Sequence, residues 1–394
     1  MENKTARLYF IDAIRAWAIL MMLQGHFIDG LLDPIFRDNN NTVFAVWKYF
    51  RGITAPVFFT VSGFIFTYLL VKGDVRGFDN PRVKKGIRRG LQLLLIGYLL
   101  RMNFLGLLHG EIYDSFYLVD VLHCIGFSIL GIITLYLLTS QRNHRILPLL
   151  LLGITLVLFV FEPAYKNLQW SWLPQLFENY LTKANGSVFT IFPWFGYATF
   201  GGFLSLLFRR FGTFRHVYPV AILSAVAMGS LLIFYSSDFF LWISKTFDIQ
   251  IFADVFFNNY LFIRLGDVFL VFALFMMARN VLKNKTLLKI GQSTLSIYII
   301  HFIILYGSFT GLGIYRFFHH AVPPFVVIPG AMLFMLGCTY LALRYEDRKV
   351  AIKGNIAIVL QLCWSKIEQV FAILIEAIKT IAVRLLRLIG FAKG

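Results

Sequence analysis

Asp12, Arg15 and His26 interrupt the first long apolar run of the sequence, and Asp29 follows three residues after the histidine. An ionisable group at bilayer depth costs about 2.5–3.5 kcal/mol on insertion scales, so each needs a partner or a purpose. Asp12 and Arg15 are three apart, a spacing that lets them pair on one helix face. Arg15 and His26 are eleven apart. At about 100° per residue, eleven steps return to nearly the same face about 16 Å further along. One stripe therefore carries a guanidinium near one end and an imidazole near the other. An imidazole titrates near neutrality and suits the removal of a proton from an attacking amine or hydroxyl. Asp29 is spaced to orient that ring or raise its basicity, and a guanidinium suits an anionic donor or developing negative charge. The plainer reading of Asp12–Arg15 is a structural or topogenic pair.

The elements that hold these residues follow from composition. Of 394 residues, 58% are hydrophobic and 14% charged, Phe alone contributes 43, and the mean hydropathy is +0.72. Soluble domains average roughly 25% charged, which excludes a water-soluble globule and a disordered chain. Apolar runs near 20 residues recur along the whole sequence, about the length a helix needs to cross a bilayer. They predict an all-α polytopic membrane bundle of about ten transmembrane helices, at 8–29, 53–71, 89–108, 117–138, 146–162, 189–208, 217–235, 259–278, 287–308 and 322–343. The first run is expected to stay as a span, because it carries Asp12 and Arg15 and no small-residue cleavage site follows. Cys124, Cys338 and Cys363 lie in apolar segments, too few and too scattered for a disulfide framework or a zinc spacing. No metal site is expected.

Charge sets the topology. The chain holds 37 Lys+Arg against 20 Asp+Glu, a formal excess of +17. With the N-terminus in the cytoplasm, 27 basic residues fall in inside segments and seven outside, while Arg15, Arg101 and Arg264 lie within spans. That is positive-inside bias; it predicts both termini on the cytoplasmic side and accounts for the excess without nucleic acid. Within the inside loop from Lys72 to Arg89, Lys84, Lys85, Arg88 and Arg89 are placed to hold the phosphates of a nucleotide-bearing donor by charge. The spans form one domain, 1–345, followed by a cytoplasmic C-terminal segment, 346–394. There, Lys366, Gln369, Glu376, Lys379, Thr380, Arg384 and Arg387 share one face, which predicts a basic amphipathic helix lying at the interface; a short eleventh span is the rival.

This topology sorts the remaining intramembrane polar groups by depth. Arg101 falls in the outer half of span 3, Asp120 and His123 in the first turns of span 4, and Arg264 and Asp267 early in span 8. His301 falls in the outer half of span 9. Together with His26 they predict a polar cavity open to the outside, lined by three histidines and compensating Asp/Arg pairs. Each also has a plainer role: Asp120–His123 and Arg264–Asp267 as neutralised glue between helices, His301 as a hydrogen-bonded packing residue. Gly63, Gly97, Gly126, Gly196, Gly201 and Gly202 suit close helix packing.

The Arg15-x10-His26 spacing resembles that of membrane acyltransferases. The fuller pattern is similar to the heparan-alpha-glucosaminide N-acetyltransferase catalytic-domain-like proteins, relatives of the acyltransferase-3 superfamily. Ile11-Asp-Ala-Ile-Arg15 with Met22-Leu-Gln-Gly-His26 resembles that family's start. Tyr49 to Gly63, Asp120-Val-Leu-His-Cys-Ile-Gly126, Pro193-Trp-Phe-Gly196 with Gly201-Gly202, and Gly291 to His301 continue the likeness in order, over roughly residues 7–310. Ala16 departs from it, standing where a Gly often follows the Arg.

The resemblance implies transfer of an acetyl group from cytoplasmic acetyl-CoA to an amine or hydroxyl of an extracytoplasmic sugar or glycolipid, in a multi-pass protein of the plasma or inner membrane. His26 would be the catalytic base or a transient acyl carrier, oriented by Asp29, with Arg15 assisting the donor. Asp120, His123, Arg264, Asp267, His301 and Arg101 would bind the acceptor, with His123 and His301 also second-choice catalytic residues. A homodimer is compatible with the family. The rival reading is a transporter or flippase for an anionic solute or glycolipid using the same charged cavity, although no inverted repeat of the kind many secondary transporters show is present.

Overall fold

The computed structural model describes residues 8–388 except 74, 144 and 171. Its described residues form helices and no sheet, with two isolated bridges, Leu32–Val322 and Asn103–Phe309. The principal helices are α1 (Tyr9–Leu31), α2 (Thr42–Leu70), α3 (Pro81–Arg101), α4 (Val121–Thr139), α5 (Ile146–Val160), α6 (Ile191–Phe211), α7 (Val217–Phe234) and α8 (Tyr260–Met277). After them come α9 (Lys285–Gln292), α10 (Thr294–Tyr306) and α11 (Pro324–Leu388). Their starts are written in local chemistry. Asn41 caps α2 by accepting from the amides of Val43 and Phe44 at 3.0 and 3.3 Å. Asn80, with Pro81 in the first turn, caps α3 by accepting from Arg82 at 2.9 Å; both satisfy amides that a helix leaves without partners.

Seven described helices are long and apolar enough to cross a bilayer, and eight if α9 and α10, bent by 69° at their junction, make one span. The other two expected spans are present as helices of a different kind. α5 has 15 residues, and α3 opens with Arg82, Lys84, Lys85, Arg88 and Arg89 before it turns apolar. The molecule is a polytopic helical membrane bundle.

Backbone contacts divide the chain into Met1–Leu341 and Ala342–Gly394; the sequence division was drawn at 345/346. In the second unit, Lys349 pairs with Glu346 at 3.1 Å, one turn apart. Most side chains of 366–389, on which the amphipathic reading rests, lie outside the described residues, as do Lys4 and Arg7.

In the first unit α1 is the central rod. Ile11, Ile14, Ala18, Ile19 and Leu23 are fully enclosed. Of these, Ile11, Ile14 and Ala18 pack with Ile53, Val57 and Val61 of α2 and Val268 and Phe272 of α8 in one apolar core. Since lipid tails are as apolar as these side chains, close van der Waals packing rather than water exclusion holds such helices together. The tightest crossing joins α2 and α6. A Cβ at Gly63 would overlap the carbonyl oxygen of Ala198, and one at Gly201 would overlap that of Thr60. Only glycine permits backbones that close.

Candidate active site

α1 carries Arg15 and His26 along one stripe, and α10 runs beside it in the same direction. Near one end Arg15 donates to Thr294 Oγ1 at 3.0 Å. Near the other, the His301 ring stands edge-on to His26 with centroids 5.3 Å apart, and the Tyr306 hydroxyl lies 3.1 Å from His26 Nδ1. Thr294 and His301 are seven residues apart, about two helical turns, so α10 supplies a partner at each end of the α1 stripe. The bend before α10 makes this possible. It swings α9 across α1, where a Cβ on Gly291 would overlap the carbonyl of Asp12. There Asp12 pairs with Arg15 at 3.8 Å and accepts from Gln292 Nε2 at 3.5 Å.

His26 lines a cavity of about 630 Å³ with Asp29, Arg51, Arg101, Asp120, Tyr298 and Tyr306. Two ion pairs neutralise its charges. Arg51 of α2 pairs with Asp29. Arg101 Nε donates to Asp120 Oδ2 at 2.9 Å, while its Nη1 holds the carbonyl of Ser115 at 3.0 Å. Tyr298 donates to the other Asp120 oxygen at 3.4 Å. In each pair the arginine is the more exposed partner: 46% against 30% for Arg51–Asp29, and 20% against 8% for Arg101–Asp120. The wall therefore offers guanidinium donors and phenol hydroxyls, with the carboxylates behind them.

A second cavity of about 220 Å³ shares His26 and Arg51 and continues along Met21, Met22, Thr54, Phe58 and Trp194. Met21 and Met22 precede His26 on α1, so this apolar space extends from the imidazole toward the Arg15 end. A chamber with two ion pairs on its wall and a smaller, mostly apolar one meet at His26 and Arg51. That arrangement suits a reaction between a polar acceptor and an apolar acyl group.

The remaining residues expected in the cavity lie elsewhere. His123 completes the N-terminal cap of α4: its Nδ1 accepts from the Asp120 amide at 3.2 Å, and its ring packs on Tyr98 at 4.4 Å, away from both cavities. Arg264 donates to Asp267 at 2.8 Å, Tyr49 donates to the same carboxylate at 2.7 Å, and the guanidinium lies 4.5 Å from the Tyr49 ring centre. This cluster ties α8 to α2 and lines neither cavity. His301 touches His26 but is fully enclosed. Lys84, Lys85, Arg88 and Arg89 are exposed on α3, and of these Arg89 is near enough to Arg15 for their charges to interact. Asp29, spaced to orient His26, is turned to Arg51; the hydrogen-bond partner of the ring is Tyr306.

Arg51, Tyr298 and Tyr306 of this chamber escaped the sequence reading. Arg51 counted as an outer-loop cation because hydropathy rises only at 53, whereas α2 begins at Thr42. Its signal lay in the Tyr49-Phe-Arg-Gly52 stretch that carries the family likeness. Tyr306 left no signal beyond its place one turn and a residue after His301.

Residues 8–344 match the family described as an acyltransferase domain. No curated protein and no solved structure matches the chain.

Proposed function

The chain belongs to the acyltransferase-3 family and is a membrane acyltransferase, and from that premise we propose that it moves an acetyl group from acetyl-CoA on the cytoplasmic side to an amine or hydroxyl of a sugar on the far side. The observation that carries this reading is the meeting of the two cavities at His26, with Arg15 further along the same helix. The donor approaches from the Arg15 end. Arg15, held by Asp12 and Thr294, attracts its phosphates together with Arg89, and the acyl arm lies in the apolar space along Met21, Met22 and Phe58. The acceptor occupies the larger chamber, where Arg101, Arg51 and the tyrosines hydrogen-bond its hydroxyls and Phe302 offers an apolar face.

The mechanism uses the tautomer in which His26 Nδ1–H donates to the Tyr306 oxygen, 3.1 Å away, and the lone pair is on Nε2. That nitrogen takes the proton from the attacking amine or hydroxyl as its nitrogen or oxygen bonds to the thioester carbonyl carbon. Collapse of the adduct breaks the carbon–sulfur bond, and the thiolate of CoA recovers the proton from the imidazolium. A positioned base of this kind contributes typically about 10²–10⁴-fold in rate. Asp29 acts on the ring through Arg51, by keeping that guanidinium at the chamber wall.

The test is purified protein incubated with labelled acetyl-CoA and a panel of glycans. Label is expected to pass to a saccharide, and His26→Ala to abolish the transfer in protein that still folds. Full transfer by His26→Ala would remove the histidine from the mechanism. Solute uptake without any label transfer would replace the reading with transport.

A further inference from the structure

Five arginines from separated parts of the chain line one cavity at the end of the bundle toward which the N-terminus of α1 points. Arg76 comes from the turn after α2, Arg142 and Arg145 from the connection between α4 and α5, and Arg209 and Arg210 from the last turn of α6; the cavity holds about 530 Å³. None of the residues assigned to donor or acceptor lines it. Like charges gathered at one concave site repel one another, so the arrangement asks for an anion.

Local structure sharpens that requirement. Among the described residues no carboxylate lines the cavity, and none pairs with Arg76, Arg142 or Arg145. Asp74, next to Gly73, lies outside the described residues and offsets one cation at most. Arg209 is anchored on the carbonyls of Val71 and Lys72 at the end of α2, and Arg210 lies 5.6 Å over the Phe211 ring. Those contacts fix two guanidiniums without neutralising them. α5 begins at the same cavity with no side chain capping its first turn, which adds the positive end of a helix dipole.

The rest of the lining is apolar. Leu147 and Pro148 of α5 and Leu206 of α6 form it with Tyr136, and beyond them α5 exposes Leu149, Leu156 and Val157 along its length. A fully hydrated anion has no use for such a wall. A phosphate joined to glycerol and acyl chains matches both halves: the phosphate among the arginines, the tails along α5. Dispersed positive-inside residues face solvent one by one, whereas these converge on a single volume. We propose that this cavity is a structural binding site for the phosphodiester headgroup of an anionic phospholipid, separate from the acyl-transfer chamber. Basic pockets between membrane helices recognise such headgroups, and the planar fork of Arg matches phosphate oxygens two at a time.

The test is native mass spectrometry of the purified full chain, released from detergent in the presence of phosphatidylglycerol or phosphatidylcholine. The wild-type protein is expected to keep phosphatidylglycerol at least about tenfold better, since each cation near an anionic lipid contributes on the order of a fivefold preference. Arg142→Gln with Arg145→Gln should lower that occupancy about tenfold or more and leave phosphatidylcholine adducts unchanged. Equal retention of the two lipids by wild-type protein overturns the proposal without any variant, and so does unchanged phosphatidylglycerol occupancy in the double variant. In a competition arm, inorganic phosphate at millimolar concentration should not displace the lipid; displacement would make this a free-phosphate site. Displacement by acetyl-CoA would make it part of the donor route, and that too overturns the assignment.

Discussion

Two constellations of intramembrane charge have the same ingredients and different surroundings. Asp29, Arg51, Arg101 and Asp120 form two ion pairs on the wall of an open chamber beside His26. Arg264, Asp267 and Tyr49 form one compact ion pair with a shared phenol, closed between α2 and α8. Both consist of Asp/Arg pairs. The chamber keeps its guanidiniums partly exposed and its carboxylates recessed, so they retain hydrogen-bonding capacity for a guest. In the closed cluster Arg264 is as exposed as Arg101, 20% in the side chain, but Asp267, 4% exposed, takes bonds from both Arg264 and Tyr49, and the cluster lines neither cavity. Polarity within a membrane thus becomes function only where an open volume meets it, and otherwise it is adhesive between helices.

The largest effect expected to separate the two regions is on chemistry. His26→Ala should lower acyl transfer about 10²–10⁴-fold with no change in thermal midpoint, measured as single-turnover rate and light-scattering or fluorescence melting on the same preparation. Arg264→Ala should do the reverse. It strands an enclosed carboxylate, for which breaking a buried pair costs up to about 3–5 kcal/mol, so the midpoint falls while turnover per folded molecule stays within about twofold. A catalytic loss in Arg264→Ala beyond the loss of folded protein would merge the two constellations into one site.

Smaller effects sharpen the division within the α1 stripe. Thr294→Val removes a hydrogen bond to a charged group, a contact of about 1.5–3 kcal/mol. It should raise KM for the donor roughly tenfold or more with little effect on kcat. Tyr306→Phe removes a bond between uncharged groups of about 0.5–1.5 kcal/mol; kcat should fall up to about tenfold and KM should hold. If both variants changed the same constant equally, the two ends of the stripe would not serve different substrates. His123→Asn should leave kcat within about twofold and lower the melting midpoint instead, because its ring closes the cap of α4.

Legibility in the sequence followed the range of the interaction. The Arg15–His26 stripe could be read because helical period is local, and the Arg264–Asp267 pair because three residues bring two side chains together on any helix. What each pair does was not readable in the same way. Depth placed Arg264 and His123 with the chamber residues, but access depends on which helix lies in front, and that is set by contacts between helices distant in sequence. Asp29 is the sharpest instance. Its spacing from His26 favoured contact, yet Arg51 offers it a full opposite charge from α2, and Tyr306 offers His26 a hydroxyl from α10. Boundaries failed for a related reason. Thr42 to Gly52 is too polar for hydropathy to see but is capped by Asn41 and continues as helix into the apolar run, which brings Arg51 into the wall.

A membrane-embedded helical protein, and a cation and an imidazole on one stripe of its first span, could be read from the residues alone. Composition and a period of 3.6 are enough for both. Packing between distant helices is what makes α10 supply Thr294 at one end of that stripe and His301 and Tyr306 at the other, opens the chamber at His26, and leaves Arg264 and Asp267 outside its wall. Those outcomes depend on where glycines at 63, 201 and 291 let backbones touch and where the 69° bend between α9 and α10 turns the chain. Close approach is a property of two surfaces at once, and no single stretch of residues contains it.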